Sequence, residues 1–190
     1  MATMQPIRSK SDIRALTKYH LERGEFRNHV LVILSLHTAL RVSDILRLRW
    51  DDVYDFQRKC VRKTITVTEG KTGKTKIIAL HKNAIRALGV YAVQAAEIGK
   101  FVIENKHTKL AISRVQAYRI IRAAGEALVL AFRVSSHALR KTFGYHAWKG
   151  GTPVVVIMEI YNHSSLSVTR RYLGVAQDDK NAVYLGATIA

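Results

Sequence analysis

The sequence predicts a mainly helical α+β domain, and three observations carry that prediction. Apolar residues recur at helical spacing over most of the 190 residues, before and after a single interruption. That interruption, residues 53–80, is where β-prone runs flank a glycine-bearing turn. With 48% hydrophobic residues, only two prolines and no low-complexity tract, the chain suits one domain with a real core and offers no linker at which to divide it.

The elements follow in order. Ser11-Asp12 ahead of Ile13, Leu16 and Tyr19 reads as a capped helix start. Residues 26–37 form a second helix, apolar nearly all round as a core element should be. Residues 42–48 form a short third. Thr64-Ile65-Thr66-Val67-Thr68 and Thr75-Lys76-Ile77-Ile78-Ala79-Leu80 then pair as a hairpin around the basic turn Glu69-Gly70-Lys71-Thr72-Gly73-Lys74. Helical patterning returns over 84–98 and 114–130, the latter capped by Ser113. A helix over 136–148 ends at Gly150-Gly151, and Thr152-Pro153 starts the next with proline in its first turn. Residues 181–185, after Gln177-Asp178, suggest a last short helix on a tail.

Charge narrows the function. Lys and Arg number 31 against 14 Asp and Glu, a formal net charge of +17, so a polyanion is the leading partner and nucleic acid comes ahead of an anionic membrane. The longest apolar stretches fall well short of the roughly 20 residues that span a bilayer. The N-terminus lacks the apolar stretch of a secretory signal. Cys60 alone can form no internal disulfide, which fits a reducing, cytoplasmic setting, and it reads as an inert residue in or beside a strand.

Within this basic background a few residues stand in an ordered series. Thr38-Ala39-Leu40-Arg41-Val42-Ser43-Asp44 comes first, then His137-Ala138-Leu139-Arg140, then the nine-residue step from His163 to Tyr172. Two arginines, two histidines and a tyrosine suit phosphodiester chemistry. Guanidinium groups hold phosphate oxygens by paired hydrogen bonds, and a phenol with a pKa of about 10 becomes a nucleophile only beside cations and a proton acceptor. Each has a plainer reading as well: Arg41 paired with Asp44 at a helix start, His137 as a buried structural histidine, Tyr172 as a core residue. Two other motifs fail. Gly73-Lys74-Thr75 lacks the first glycine of a phosphate-binding loop and precedes a strand, not a helix. Asp51, Asp52 and Asp55 have no companion at metal-ligand spacing and read as a polar turn before the sheet.

Taken together, these segments resemble the tyrosine recombinases of the phage-integrase family, over nearly the whole chain from Ser11 to about Gly174. Thr38-Ala39-Leu40-Arg41 with Asp44 resembles the first arginine box, closed by Trp50-Asp51-Asp52-Val53. Lys71 matches the catalytic lysine, His137-Ala138-Leu139-Arg140-Lys141-Thr142-Phe143 the second box, and His163-Ser164-Ser165 with Arg171-Tyr172 the third. Tyr161-Asn162 replaces the usual leucine-glycine, and Lys141 stands where histidine is common. The resemblance implies the recombinase catalytic fold, mainly helical with a small three-stranded antiparallel sheet. It implies residues 1–190 as one catalytic domain without a separate N-terminal core-binding domain, since only about 40 residues precede Arg41.

It also implies the chemistry. Tyr172 attacks a scissile phosphate to give a 3′-phosphotyrosine, Arg41 and Arg140 hold its non-bridging oxygens, and His137 exchanges the tyrosine proton. Lys71 protonates the 5′-oxygen, His163 hydrogen-bonds the phosphate, and Asp44 orients the Arg41 region. No metal, ATP or other cofactor is called for. The implied partners are double-stranded DNA and further copies of the chain, a homo-oligomer (tetramer) on paired sites, with possible accessory DNA-bending proteins and no membrane. A prokaryotic, phage or mobile-element origin is implied. A type IB topoisomerase, or an idle DNA-binding regulator on the same fold, are the alternatives.

Overall fold

In the computed structural model, which describes residues 4–95, 97–175, 179 and 184–186, the first helix begins two residues earlier than its sequence signal. Ser9 rather than Ser11 is the cap, accepting from the Asp12 amide at 3.1 Å, and α1 spans Lys10–Glu22. Helix α2 (Phe26–His37) is buried from His29 through Leu36 and is the pillar of the main core. After it come two single-turn helices, α3 (Val42–Ile45) and α4 (Trp50–Val53). The sequence around the second reads as a polar turn. Asp52 accepts from the Arg49 amide at 2.8 Å, which caps one helical turn and lets Trp50 and Val53 enter the core.

The strands depart from the single three-stranded sheet that the resemblance implied. β1 (Tyr54–Asp55) pairs with β2 (Cys60–Val61), and β3 (Thr64–Thr68) pairs with β4 (Thr75–Ala79), as two separate antiparallel ladders. In the longer ladder Thr64 faces Ala79 and Thr68 faces Thr75. Helix α4 packs against β3, so that face of the hairpin is already covered. The amide of Arg62 donates to the Val53 carbonyl (2.8 Å), which carries the β1–β2 register one pair further. Period-two burial holds in β3, where Ile65 and Val67 are buried between exposed threonines. Cys60 is exposed in β2.

Helix α5 (Lys82–Gln94) stops four residues short of the expected end, because Ala95 is extended. Helix α6 (Arg114–Ala127) has the expected Ser113 cap, completed by Gln116 as a capping box. Helix α7 (Ser136–Lys149) starts from Ser135 and ends at Gly150. Helices α1, α5 and α7 pack on α2. In α8 (Val154–Tyr161) Pro153 is the cap rather than a first-turn residue. Helix α9 (Leu166–Leu173) runs from the Ser165 cap to Gly174, whose φ of +67° suits glycine and stops the helix directly after Tyr172-Leu173.

A second, smaller apolar cluster lies apart from the main core: Ala39, Ile157, Tyr161 and Leu173 are buried, with Phe143, Trp148 and Tyr172 packed on them. It joins the segment before Arg41 to α7, α8 and α9. The segment ahead of α1 braces this region: Ile7 donates from its amide to Thr142 Oγ1 (2.9 Å), and Arg8 donates to the Gly174 carbonyl (2.8 Å). Of the tail helix expected over 181–185, residues 181–183 lie outside the described residues; Tyr184 and Leu185 are exposed. Among the described residues no helix is long and apolar enough to cross a membrane.

Candidate active site

One open cavity of about 600 Å³ is lined by Arg41, Lys71, His137, Arg140, His163 and Tyr172 together. Five different segments deliver them. Arg41 is the extended residue that caps α3; Lys71 is exposed in the β3–β4 turn; His137 and Arg140 lie on one face of α7. His163 follows α8, and Tyr172 is on the last turn of α9. Helical spacing accounts for the His137/Arg140 pair, and only the tertiary fold accounts for the rest.

Arg140 is buried at mid-helix, and the carbonyls around it fix its direction. Its guanidinium donates to the Ala39 carbonyl, presented by a left-handed residue (φ +55°), and to the Tyr161 carbonyl at 3.5 Å. It also lies over the Tyr161 ring, 4.8 Å from the centroid. Arg41 does not pair with Asp44. It meets Glu69, the residue after β3, with Nη1 to Oε2 at 2.9 Å. Asp44 is buried and instead accepts from the Gly70 amide (3.1 Å) and Arg47 (2.7 Å), so it holds the turn that carries Lys71. A Cβ at Gly70 would collide with that Arg47 guanidinium.

Glu69 is the residue that sequence reasoning missed. Its side chain is fully buried, accepts hydrogen bonds from Thr72 (2.9 Å) and Asn162 (2.9 Å), and forms ion pairs with Lys76 (2.7 Å) and Arg41 (2.9 Å). Burial alone would raise its pKa, but the hydrogen bonds from Lys76, Asn162, Thr72 and Arg41 outweigh it and hold the carboxyl at about 2. The only signal in the sequence was an acid between a β-prone run and a basic turn, which is ordinary surface composition. Lys76, an alternating residue of β4, is consumed by this pair and by the Ile160 carbonyl (2.7 Å). Arg114, at the start of α6, also lines the cavity, although its place in the sequence marks it only as a helix residue.

Tyr172 sits among three rings and a lysine ammonium. The His137 ring meets it edge-on at 5.0 Å, His163 at 4.9 Å and Tyr161 at 4.9 Å, while the Lys141 ammonium lies 5.2 Å above its face. Its hydroxyl is 3.5 Å from His137 Nδ1. Burial pushes the phenol above its ordinary pKa, with Arg140 and Arg41 pulling the other way. The hydroxyl is therefore protonated at rest and needs an acceptor. Burial, with Lys141 and Arg140 nearby, lowers the His137 pKa and leaves that ring neutral and able to accept. His163 falls to about 4 from burial and from Arg140 and Arg41, and its Nδ1 lies 3.1 Å from Thr169 Oγ1.

The two departures from the family pattern have physical accounts. Asn162 is left-handed (φ +54°), a conformation that glycine and asparagine both tolerate, and the asparagine adds the amide that reaches Glu69. Tyr161 is fully buried, donating to the Arg140 carbonyl at 2.6 Å. Lys141 is buried too and donates to the Met4 carbonyl at 2.8 Å. No group of three or more metal-ligating side chains occurs among the described residues; of the acidic cluster, Asp52 makes a capping bond and Asp55 a turn bond.

A helical fold with a cationic cavity around one tyrosine defines a class of phosphate-handling enzyme, and comparison with known proteins gives the family. The profile of the phage integrase family matches residues 9–179, and the chain belongs to that family. It is 35% identical over 184 residues to the probable integrase/recombinase YoeC of Bacillus subtilis, covering 97% of both chains. It is 29% identical over 170 residues to the tyrosine recombinase XerD of Mycobacterium leprae, covering 85% of this chain but only 52% of that one. The chain thus spans about half the length of XerD relatives. Among solved structures, XerA recombinase superposes with a TM-score of 0.78 at 21% identity, over all of this chain and 68% of that one. XerH recombinase bound to its palindromic difH substrate gives 0.73 at 16% identity, over 97% and 54%. At these identities the structural likeness speaks to the fold, which is that of the tyrosine-recombinase catalytic domain.

Proposed function

We propose that this chain cleaves and rejoins duplex DNA at specific sites through a covalent phosphotyrosine, with Tyr172 as nucleophile. The observation that carries the reading is that two arginines, a lysine, two histidines and a tyrosine from five segments line a single open cavity. The Tyr172 oxygen attacks the scissile phosphorus, its proton passes to His137, and the bond from phosphorus to the 5′-oxygen breaks. Lys71, exposed in the turn, protonates that oxygen. Arg41 and Arg140 meet the charge that builds on the non-bridging oxygens, each already aimed by the protein, so little reorganisation is needed. His163, neutral, donates to the phosphate. A 5′-hydroxyl from a second strand then reverses the sequence. One phosphodiester replaces another, so no nucleotide is consumed, and the cations supply the charge stabilisation without a metal.

The names of the relatives, integrase and recombinase, support strand exchange over simple relaxation. In this reading residues 1–190 act as one catalytic domain in the cytoplasm, binding DNA through the surplus of positive charge and assembling as a tetramer on paired sites, with accessory bending proteins as possible helpers. A nicked suicide duplex carrying the target site tests it. Wild-type protein should form a denaturant-resistant adduct, and Tyr172→Phe should form none while still binding DNA. Recombinant product from two sites separates a recombinase from a topoisomerase. An adduct that persists in Tyr172→Phe would move the nucleophile elsewhere.

A further inference from the structure

We propose that Glu69 is the positioning residue on which this cavity is assembled. Its buried carboxylate holds Arg41, the Lys71 turn and the start of the His163 segment in one arrangement before DNA arrives. The inference rests on the proposed function above and adds a residue to it.

A buried carboxylate is tolerated only when paired and hydrogen-bonded. One partner, Lys76, would meet the charge requirement. Glu69 takes three more, and each belongs to the cavity or stands next to a residue that does. Arg41 itself lines the cavity, Thr72 follows Lys71, and Asn162 precedes His163. Asn162 also ends α8 in a left-handed turn, so the bond from its amide to Glu69 sets the direction in which the chain leaves toward His163. Segments that are 28 and 93 residues from Glu69 in sequence are thereby tied to one pair of oxygens. Arg41 keeps a quarter of its side chain exposed, so the pairing anchors the guanidinium without closing it off from the cavity. Opposed to this is a plain competitor role, in which the carboxylate occupies Arg41 and must yield it to phosphate.

The test is single-turnover cleavage of the suicide duplex at saturating protein. Glu69→Asp keeps the charge beside Lys76 but shortens the side chain by one carbon-carbon bond, about 1.5 Å, so it cannot reach every partner at once. Adduct formation should slow by roughly 100-fold, the scale of an ångström-sized misplacement, with DNA affinity unchanged. In an Arg41→Ala background the same change should cost clearly less than the roughly 100-fold it costs alone, because one of the groups it positions is already gone. Losses that multiply in the double variant would mark a merely structural carboxylate and overturn the proposal. A rate for Glu69→Asp equal to or above wild type would overturn it as well, a faster rate identifying the competitor role. Should Glu69→Asp fold poorly, Asn162→Gly keeps the left-handed turn and removes one donor; it should slow cleavage by roughly tenfold, and a wild-type rate overturns the proposal. Absence of an adduct with wild-type protein would instead sink the proposed function itself.

Discussion

Replacing Gly144 by alanine places a methyl group where α7 meets α8 and α9. The new Cβ would lie 2.5 Å from the Tyr161 hydroxyl, 2.7 Å from its ring and 2.9 Å from the Leu173 side chain. On an exposed helix this substitution stabilises by about 1 kcal/mol. Here overpacking costs about 1 to 3 kcal/mol. If Tyr161 yields, its 2.6 Å bond to the Arg140 carbonyl is lost, at about 1 kcal/mol more. The balance is a loss of about 2 kcal/mol, which for a chain of this size lowers the melting temperature by about 4 to 8 °C. The displaced Tyr161 ring stacks on His163 at 5.1 Å, touches Tyr172 at 4.9 Å and lies under Arg140 at 4.8 Å. An ångström of movement there should slow cleavage by up to about 100-fold. Thermal melting by circular dichroism and single-turnover cleavage read the two effects. A variant that melts several degrees higher and cleaves normally would refute the packing argument, since it would behave as an exposed helical glycine does.

Lys71→Ala should slow cleavage strongly and regain its rate on a substrate with a 5′-thiol leaving group, which needs no proton; Lys74→Ala should change little. Lys76→Ala should lower the melting temperature by leaving Glu69 short of a partner, and the thiol should not rescue it. Acid should destabilise the protein in two stages. His37 and His163 titrate at about 4 when folded against 6.5 when unfolded, so the unfolded chain binds more protons between these values. Their contribution is complete above pH 6.5 and falls away toward pH 4. Glu69, at about 2 against 4.5, contributes above pH 4.5 and loses that contribution as pH falls toward 2. A melting temperature that stays level from pH 7 to pH 4 would contradict the histidine assignment.

Much of this protein was legible as residues in a line. Helix α2 announces itself by an apolar run too long for a strand, and α6 by the Ser113 cap ahead of periodic Ala117, Ile121 and Ala124. The β3–β4 hairpin follows from two threonine-rich and isoleucine-rich runs around Gly70 and Gly73. Five side chains of the cavity were legible too, because two arginines, two histidines and a tyrosine at those spacings are chemically specific even before they meet; Lys71 was legible only through the family resemblance. What the sequence by itself determined, then, is the local conformations and the chemical character of the groups that line the cavity. Both depend on neighbours within a few positions or on side-chain chemistry alone.

The tertiary structure decided the rest. It decided that Arg41 answers to Glu69 rather than to Asp44, three residues away, and that Asp44 holds the Gly70 turn instead. It divided the strands into two ladders and packed α4 against β3. It turned Tyr161 and Lys141, two departures from the family pattern, into parts of the bed on which Tyr172 rests. The partners in these pairings lie as far as 93 positions apart. Whether an acid such as Glu69 ends solvated on the surface or buried with four donors depends on which distant segments the hydrophobic cores bring to it. No periodicity or spacing along the chain encodes that choice; it is made when the cores close.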